Sequence, residues 1–384
     1  MKIAFLTPEY PHVKTGSSGG IGSSIKNLAI GLFAKGCTVR VLVYGQKEEG
    51  IFDDNGVTIQ QILNVKLKGL SWWLTRKKLE RLINTLYDRK EIDLVEAPDW
   101  TGITSFIKPK KCPVVIRLNG SDTYFCHLDQ RPVKWINKFH EKKALENADA
   151  LLSVSQFTAN VTNEVFELHK KFTIIANSID VDFFDGNENP NVNDNRTILY
   201  FGSLIRKKGL LELPFIFNEV IQKNPDAQLI LVGKDVPDIF SGNSSTWQMM
   251  QPLFTVEALK NVTYLRSVPY AEIKKQIALA TVCVFPSFAE ALPVSWIEAM
   301  AMQKAVVASN IGWAMDIIDD GVNGFLVNPK EHQQYAKRIL EILLNPKKQK
   351  EFGIKARKKI VDTFSIEIVA KQSVLFYEDI IKTK

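Results

Sequence analysis

The chain is short of paired cysteines, of long apolar runs and of any strong excess of one charge, and each shortage excludes something. Its four cysteines (Cys37, Cys112, Cys126, Cys283) lie far apart, so none of the two-residue spacings that frame a metal site or a redox pair occurs. Unpaired thiols of this kind fit the reducing cytoplasm. The longest uncharged apolar stretch, 277–289, contains Pro286 and stops at Glu290, short of the roughly 18 residues that span a bilayer. At the start, Lys2 is followed by only four apolar residues before Thr7-Pro8-Glu9, so no secretory leader is expected. Forty-nine basic residues against 42 acidic leave a net charge of +7, a mild surplus. Its placement is uneven. Residues 66–90 carry eight basic and two acidic side chains, a composition that suits an anionic membrane surface, nucleic acid or a solvated helix face.

What is present is a globular composition, 45% hydrophobic and 24% charged, over 384 residues. A prior of about 150 residues per domain divides that length into two or three. The chain opens with an apolar run at 2–7 and glycines at 16, 19, 20 and 22. Ile25, Leu28, Ala29, Leu32 and Phe33 then recur at helical spacing, with Gly36 at a C-cap position. Strands are expected at 39–44, 113–118, 151–154 and 173–176, with helices at 134–147 and 156–168. An Asn-rich stretch at 185–196 has no periodicity and reads as a linker. Beyond it a second series of strands is expected at 197–201, 228–232, 262–265, 282–285 and 305–308. This alternation predicts an α/β fold of two Rossmann-like parallel-sheet domains, 1–184 and 185–364, with a helix at about 365–384 packing back on the first. Such sheets are expected to face each other across a cleft at the carboxyl ends of their strands.

Three clusters carry candidate chemistry. Thr15-Gly-Ser-Ser-Gly-Gly-Ile-Gly22 supplies unencumbered amides at a helix start, suited to an anion, although a flexible loop has the same composition. It is neither a Walker loop nor a compact dinucleotide fingerprint. Phe201-Gly-Ser-Leu-Ile-Arg-Lys-Lys-Gly209 places three cations between a strand and a helix, where phosphates bind; a solvated basic face is the alternative. In Glu290-Ala-Leu-Pro-Val-Ser-Trp-Ile-Glu298, one carboxylate closes a strand-to-helix loop. The other lies in an apolar helix, where it needs a partner.

Together these residues resemble the retaining glycosyltransferases of GT-B fold in glycosyltransferase family four, also called group one. Glu290 and Glu298 are similar to that family's pair of glutamates separated by seven residues. Ala176-Asn-Ser-Ile-Asp180 resembles its interdomain Pro-Asn-Gly-Val-Asp, and Gly321-Val-Asn-Gly324-Phe-Leu-Val327 its closing turn. The resemblance implies transfer of a sugar from a nucleotide-sugar donor, UDP- or GDP-linked, to a glycan or lipid-linked acceptor. It implies no metal or other cofactor. It assigns Glu298 to the ribose hydroxyls, Glu290 to the donor sugar, Lys208 to the diphosphate, Gly19 and Gly20 to the phosphates, and the amides of Leu292 and Val294 to the same pocket.

Some positions depart from the family pattern. Ser203 stands where the family has arginine, and Arg206 is the expected substitute at the phosphates. Asn119 replaces a histidine, with Asp122 expected to share its work. These departures leave room for a non-catalytic subunit, or for a nucleotide-sugar hydrolase or epimerase of the same fold. Asp180-Val-Asp182 spells another class's metal motif but sits between the domains, where no metal role is expected. In 66–90, Leu70, Trp73, Leu74, Leu79, Leu82 and Ile83 form a partly amphipathic pattern beside the cations. Weak docking of this segment on an anionic membrane at the cytoplasmic face is expected, with a core-packed helix as the alternative. No nucleic-acid partner is expected, since no base-reading module surrounds the basic segment.

Overall fold

The computed structural model describes residues 1–16, 18–186 and 196–383. Most of the expected linker, 187–195, therefore lies outside the described residues. The chain separates into two compact units, Met1–Asp180 with Phe364–Lys384, and Val181–Thr363. No helix among the described residues is long and apolar enough to cross a membrane.

The first unit is built on β1 (Lys2–Thr7), β2 (Thr38–Gln46), β3 (Gly50–Asp54), β4 (Val57–Leu63), β5 (Leu94–Pro98), β6 (Val114–Leu118), β7 (Ala150–Ser153) and β8 (Thr173–Ile174). Their order is β3-β4-β2-β1-β5-β6-β7-β8, parallel except for the β3–β4 hairpin at one edge. That hairpin turns on Asn55 and Gly56, both with positive φ, as a two-residue turn between right-twisted strands requires. Every residue of β5 and β6 is buried, because helices cover both faces of the sheet. One face packs Phe5, Val41 and Leu94 against Leu28 and Leu32 of the helix Gly20–Ala34 and against Val369 and Tyr377 of the last helix, Ile366–Thr383. The other packs Leu6, Leu42 and Val95 against Leu79, Ile83 and Leu86 of the helix Ser71–Asp88.

The second unit carries six parallel strands: β9 (Thr197–Phe201), β10 (Gln228–Val232), β11 (Val262–Tyr264), β12 (Val282–Phe285), β13 (Ala305–Ser309) and β14 (Phe325–Val327). They run in the order β11-β10-β9-β12-β13-β14. All of β12 and β13 is buried. Both sheets therefore reverse direction of growth at one point, β1/β5 in the first unit and β9/β12 in the second. At such a point the connections leave to opposite faces and open a crevice at the carboxyl ends of the strands.

The terminal helix is tied down locally. Ser365 bridges to Ile179 in a short parallel pairing, and Ile366 and Ala370 then press on Gly31. A Cβ at Gly31 would stand 2.6 Å from Ile366 Cγ2 and 2.8 Å from Ala370 Cβ. Gly31→Val should therefore destabilise the first unit by about 1–3 kcal/mol, the usual penalty of overpacking. Urea denaturation followed by circular dichroism measures this, and an unchanged midpoint would show that the helix pair is not packed as described.

Candidate functional site

The crevice of the second unit is shaped by the loops that follow β9 and β12. The first loop runs through the short turn Arg206–Lys208 and ends at Gly209, whose φ is +72°. A Cβ on Gly209 would lie 1.8 Å from the Pro286 carbonyl oxygen, so only glycine lets the two loops touch. The amides of Phe288 and Ala289 donate to the Lys207 carbonyl at 2.8 and 3.2 Å, fixing the contact. Lys208 is thereby held beside Glu290, with Nζ 2.9 Å from Oε1. The Ser287 hydroxyl donates to the same oxygen at 3.3 Å.

Glu298 lies on the helix Val294–Ala301, among the buried Trp296, Ile297, Ala299 and Met300. Burial favours the neutral carboxyl and pushes its pKa up to about 7. Two groups partly offset this: the Tyr270 hydroxyl, which donates to Oε1 at 2.5 Å, and the positive charge of Lys208. Tyr270 begins the helix Tyr270–Leu279, and its ring stacks on Phe183 with centroids 5.7 Å apart. The structure thus brings Lys208, Glu290 and Glu298 together. Leu292 is buried in the loop before that helix, and Val294 is its first residue.

Arg206, the other cation expected at the phosphates, is engaged within the unit. Arg206 makes a two-pronged pair with Asp238, both bonds 2.8 Å, rather than standing free for a phosphate. The pairing holds the Asp238 carboxyl well below its usual range. Ser203 is exposed, and its carbonyl accepts the Tyr200 hydroxyl at 2.9 Å.

In the first unit the glycine loop is already occupied from within. The Glu9 carboxylate accepts from the Gly19 amide at 3.0 Å and the Gly22 amide at 2.9 Å, while Gly20 opens the helix Gly20–Ala34. A phosphate at Gly19 must displace this internal anion. Asn119 follows β6, and its amide donates to Asp99 Oδ1 at 2.9 Å. Asp99, at the end of β5, is buried with Oδ2 unpartnered, and burial pushes its pKa up to about 7. Asp122 does not share a pocket atom with Asn119; its carboxylate accepts from Asn137 at 2.9 Å and faces Arg131 at 3.5 Å. Among the described residues no group of three His, Cys, Asp or Glu side chains gathers as metal ligands.

Sequence reasoning passed over Glu9, Asp99, Asp238 and Tyr270. A strand at 94–98 was signalled by Leu94-Val95 ahead of Pro98-Asp99. Nothing in the sequence pairs Tyr270 with Glu298, since 28 residues separate them.

Two family models divide the chain between them. Glycosyltransferase Family 4 matches residues 18–183, and Glycosyl transferases group 1 matches residues 183–359. The chain belongs to the family 4, group 1 glycosyltransferases. It is 25% identical to the alpha-maltose-1-phosphate synthase of Mycolicibacterium smegmatis, covering 99% of this chain and 100% of that protein. Among solved structures it resembles the sucrose-phosphate synthase of Thermosynechococcus elongatus (TM-score 0.80, 20% identity, all of both chains). It also resembles HepE of Anabaena in complex with UDP-glucose (TM-score 0.72, 20% identity, 99% of this chain and 100% of that one). These likenesses establish the GT-B fold.

In this glycosyltransferase the raised pKa of Glu298 has a definite consequence for stability. Between the ordinary carboxylate value of 4.5 and about 7, the folded state holds a proton that the unfolded state has lost. Stability therefore falls as pH rises through that window. Glu298→Gln should remove about 1–3 kcal/mol of this pH dependence, as judged from melting temperatures across pH 4.5–7.5. Parallel curves for the two proteins would mean that Glu298 is not desolvated.

Proposed function

We propose that this glycosyltransferase moves a sugar from a UDP- or GDP-linked donor to a glycan or lipid-linked acceptor in polysaccharide or glycoconjugate synthesis. The transfer retains anomeric configuration and uses no metal ion. The observation that carries this reading is the Lys208–Glu290 pair in the β9/β12 crevice, with Glu298 close enough to feel the lysine's charge. The complex of HepE with UDP-glucose supports the donor class.

In this reading the donor's diphosphate draws the Lys208 ammonium, and Glu290 turns to the sugar hydroxyls. Glu298 accepts from the ribose, as a buried carboxyl with one hydroxyl partner has capacity to do. The amides of Leu292 and Val294 line the same side. As the sugar–phosphate bond breaks, negative charge grows on the leaving oxygen, where a fixed cation stabilises it. The acceptor oxygen bonds to the anomeric carbon on the face that the phosphate leaves, and its proton passes to a phosphate oxygen.

Turnover with labelled nucleotide sugars tests this directly. Lys208→Ala and Glu290→Ala should each lower kcat by at least about 100-fold, the usual loss when one transition-state electrostatic group is removed. The product's anomeric configuration, read by NMR, should match that of the donor, and a chelator should leave the rate unchanged. Release of free sugar would point to a hydrolase instead. Donor binding without turnover would point to the non-catalytic reading that Ser203 and Asn119 permit.

A further inference from the structure

The basic segment 66–90 does not present its cations as its sequence suggests. Leu79 and Ile83 are fully buried core residues, and Leu74 and Leu82 are partly buried. Arg76 is buried too, donating to the Gly102 and Ile103 carbonyls. Lys77 pairs with Glu80, and Lys78 with Glu49. This helix therefore has no lipid-facing apolar stripe along its length.

Its N-terminal end tells a different story, together with a second helix distant in sequence. Trp72 is 45% exposed and packs against Phe106 at 5.6 Å and His140 at 5.3 Å. Phe106 in turn meets Phe139 of the helix Trp135–Asn147 at 6.4 Å. Phe139 is 45% exposed, and Trp135, one turn earlier, is 77% exposed. The Lys143 ammonium stands over both Phe106 and Phe139. Trp72, Phe106, Phe139 and Lys143 thus form one cluster, carried by the segments 66–73, 106–111 and 134–143. These segments hold nine lysines and a single acid, Glu141. That acid is buried and engaged by the amides of Asp122 and Thr123. Among the described residues, none of the nine lysines pairs with a carboxylate.

We propose that this surface docks the first unit on an anionic lipid bilayer. The composition selects that partner. Exposed contiguous aromatics mark an interaction surface, and tryptophan settles at the headgroup level of a bilayer. The cations are lysines, which protein–protein interface cores deplete, while an anionic leaflet attracts each by about 1 kcal/mol. The rings insert shallowly, and the lysines ring them at the phosphate level. The docking is independent of the donor reading, because no residue of the second unit takes part.

The test is flotation of the full chain with vesicles of phosphatidylcholine alone or mixed equally with phosphatidylglycerol. Partition onto the mixed vesicles should exceed that onto phosphatidylcholine by at least about 10-fold and should weaken in high salt. Trp135→Ser with Phe139→Ser, and separately Lys138→Glu with Lys142→Glu, should each reduce it by about 5-fold or more. Trp135→Ser alone touches no core, so it keeps the test valid if the double variants unfold. Brominated lipid should quench tryptophan emission in the parent protein and less in Trp135→Phe. Nucleotide-sugar binding, read by thermal shift, should be unchanged in all these variants. Equal partition onto both vesicle types, or partition unmoved by every variant, would overturn the proposal. So would capture by a soluble polyanion such as heparin with no vesicle binding.

Discussion

Gly209 and Pro286 bring two loop backbones closer than any side chain allows, with 1.8 Å between a hypothetical Cβ and the carbonyl oxygen. That contact sets the register of the loop after β9 against the loop after β12. The lysine and the glutamate that meet across it come from positions 82 residues apart. Without the contact, a half-buried ammonium and a buried carboxylate have no fixed separation. With it, the two charges meet in the crevice where a parallel sheet reverses its growth, a place where helices and loop amides also converge.

Burial treats the acidic groups of the chain in two ways. Glu96 is paired with Arg117 at 2.7 Å, and the Tyr377 hydroxyl donates to its other oxygen at 2.6 Å, so its charge is satisfied inside the first unit. Glu298 and Asp99 are buried with far less support, and each is pushed up to about 7. Each stands at or near the carboxyl edge of its own sheet. A carboxylate kept short of partners in such a place remains available to donors that the protein itself does not supply.

Much of this was legible in the residue pattern, for identifiable reasons. The strands 197–201 and 282–285 are buried on both faces and read as nearly continuous apolar runs, and 113–118 and 228–232 are mostly apolar. The edge hairpin β3–β4 went unseen despite Asn55-Gly56, because alternation at an edge is weak and Asp53 and Asp54 mask it. Glu290, Glu298 and Lys208 stood out because charge among apolar neighbours is conspicuous in one dimension. Arg206 stood out for the same reason, and its pairing with Asp238 did not. Its partner Asp238 lies 32 residues on and carries no local signal. Glu9 is a parallel case, ten residues before the Gly19 amide that it occupies.

The sequence by itself determined the architecture, two parallel α/β units, and the chemical types available at the ends of their strands. Hydrophobic periodicity and glycine placement are local properties, so they survive without coordinates. Only the tertiary structure decided which charges meet which partners. Arg206 is paired with Asp238 and Lys208 with Glu290, the middle of 66–90 is tied up within the first unit, and Trp72 and Phe139 share one surface. Pairing and exposure depend on distances between segments remote in the chain, and those distances exist only once the sheets have formed.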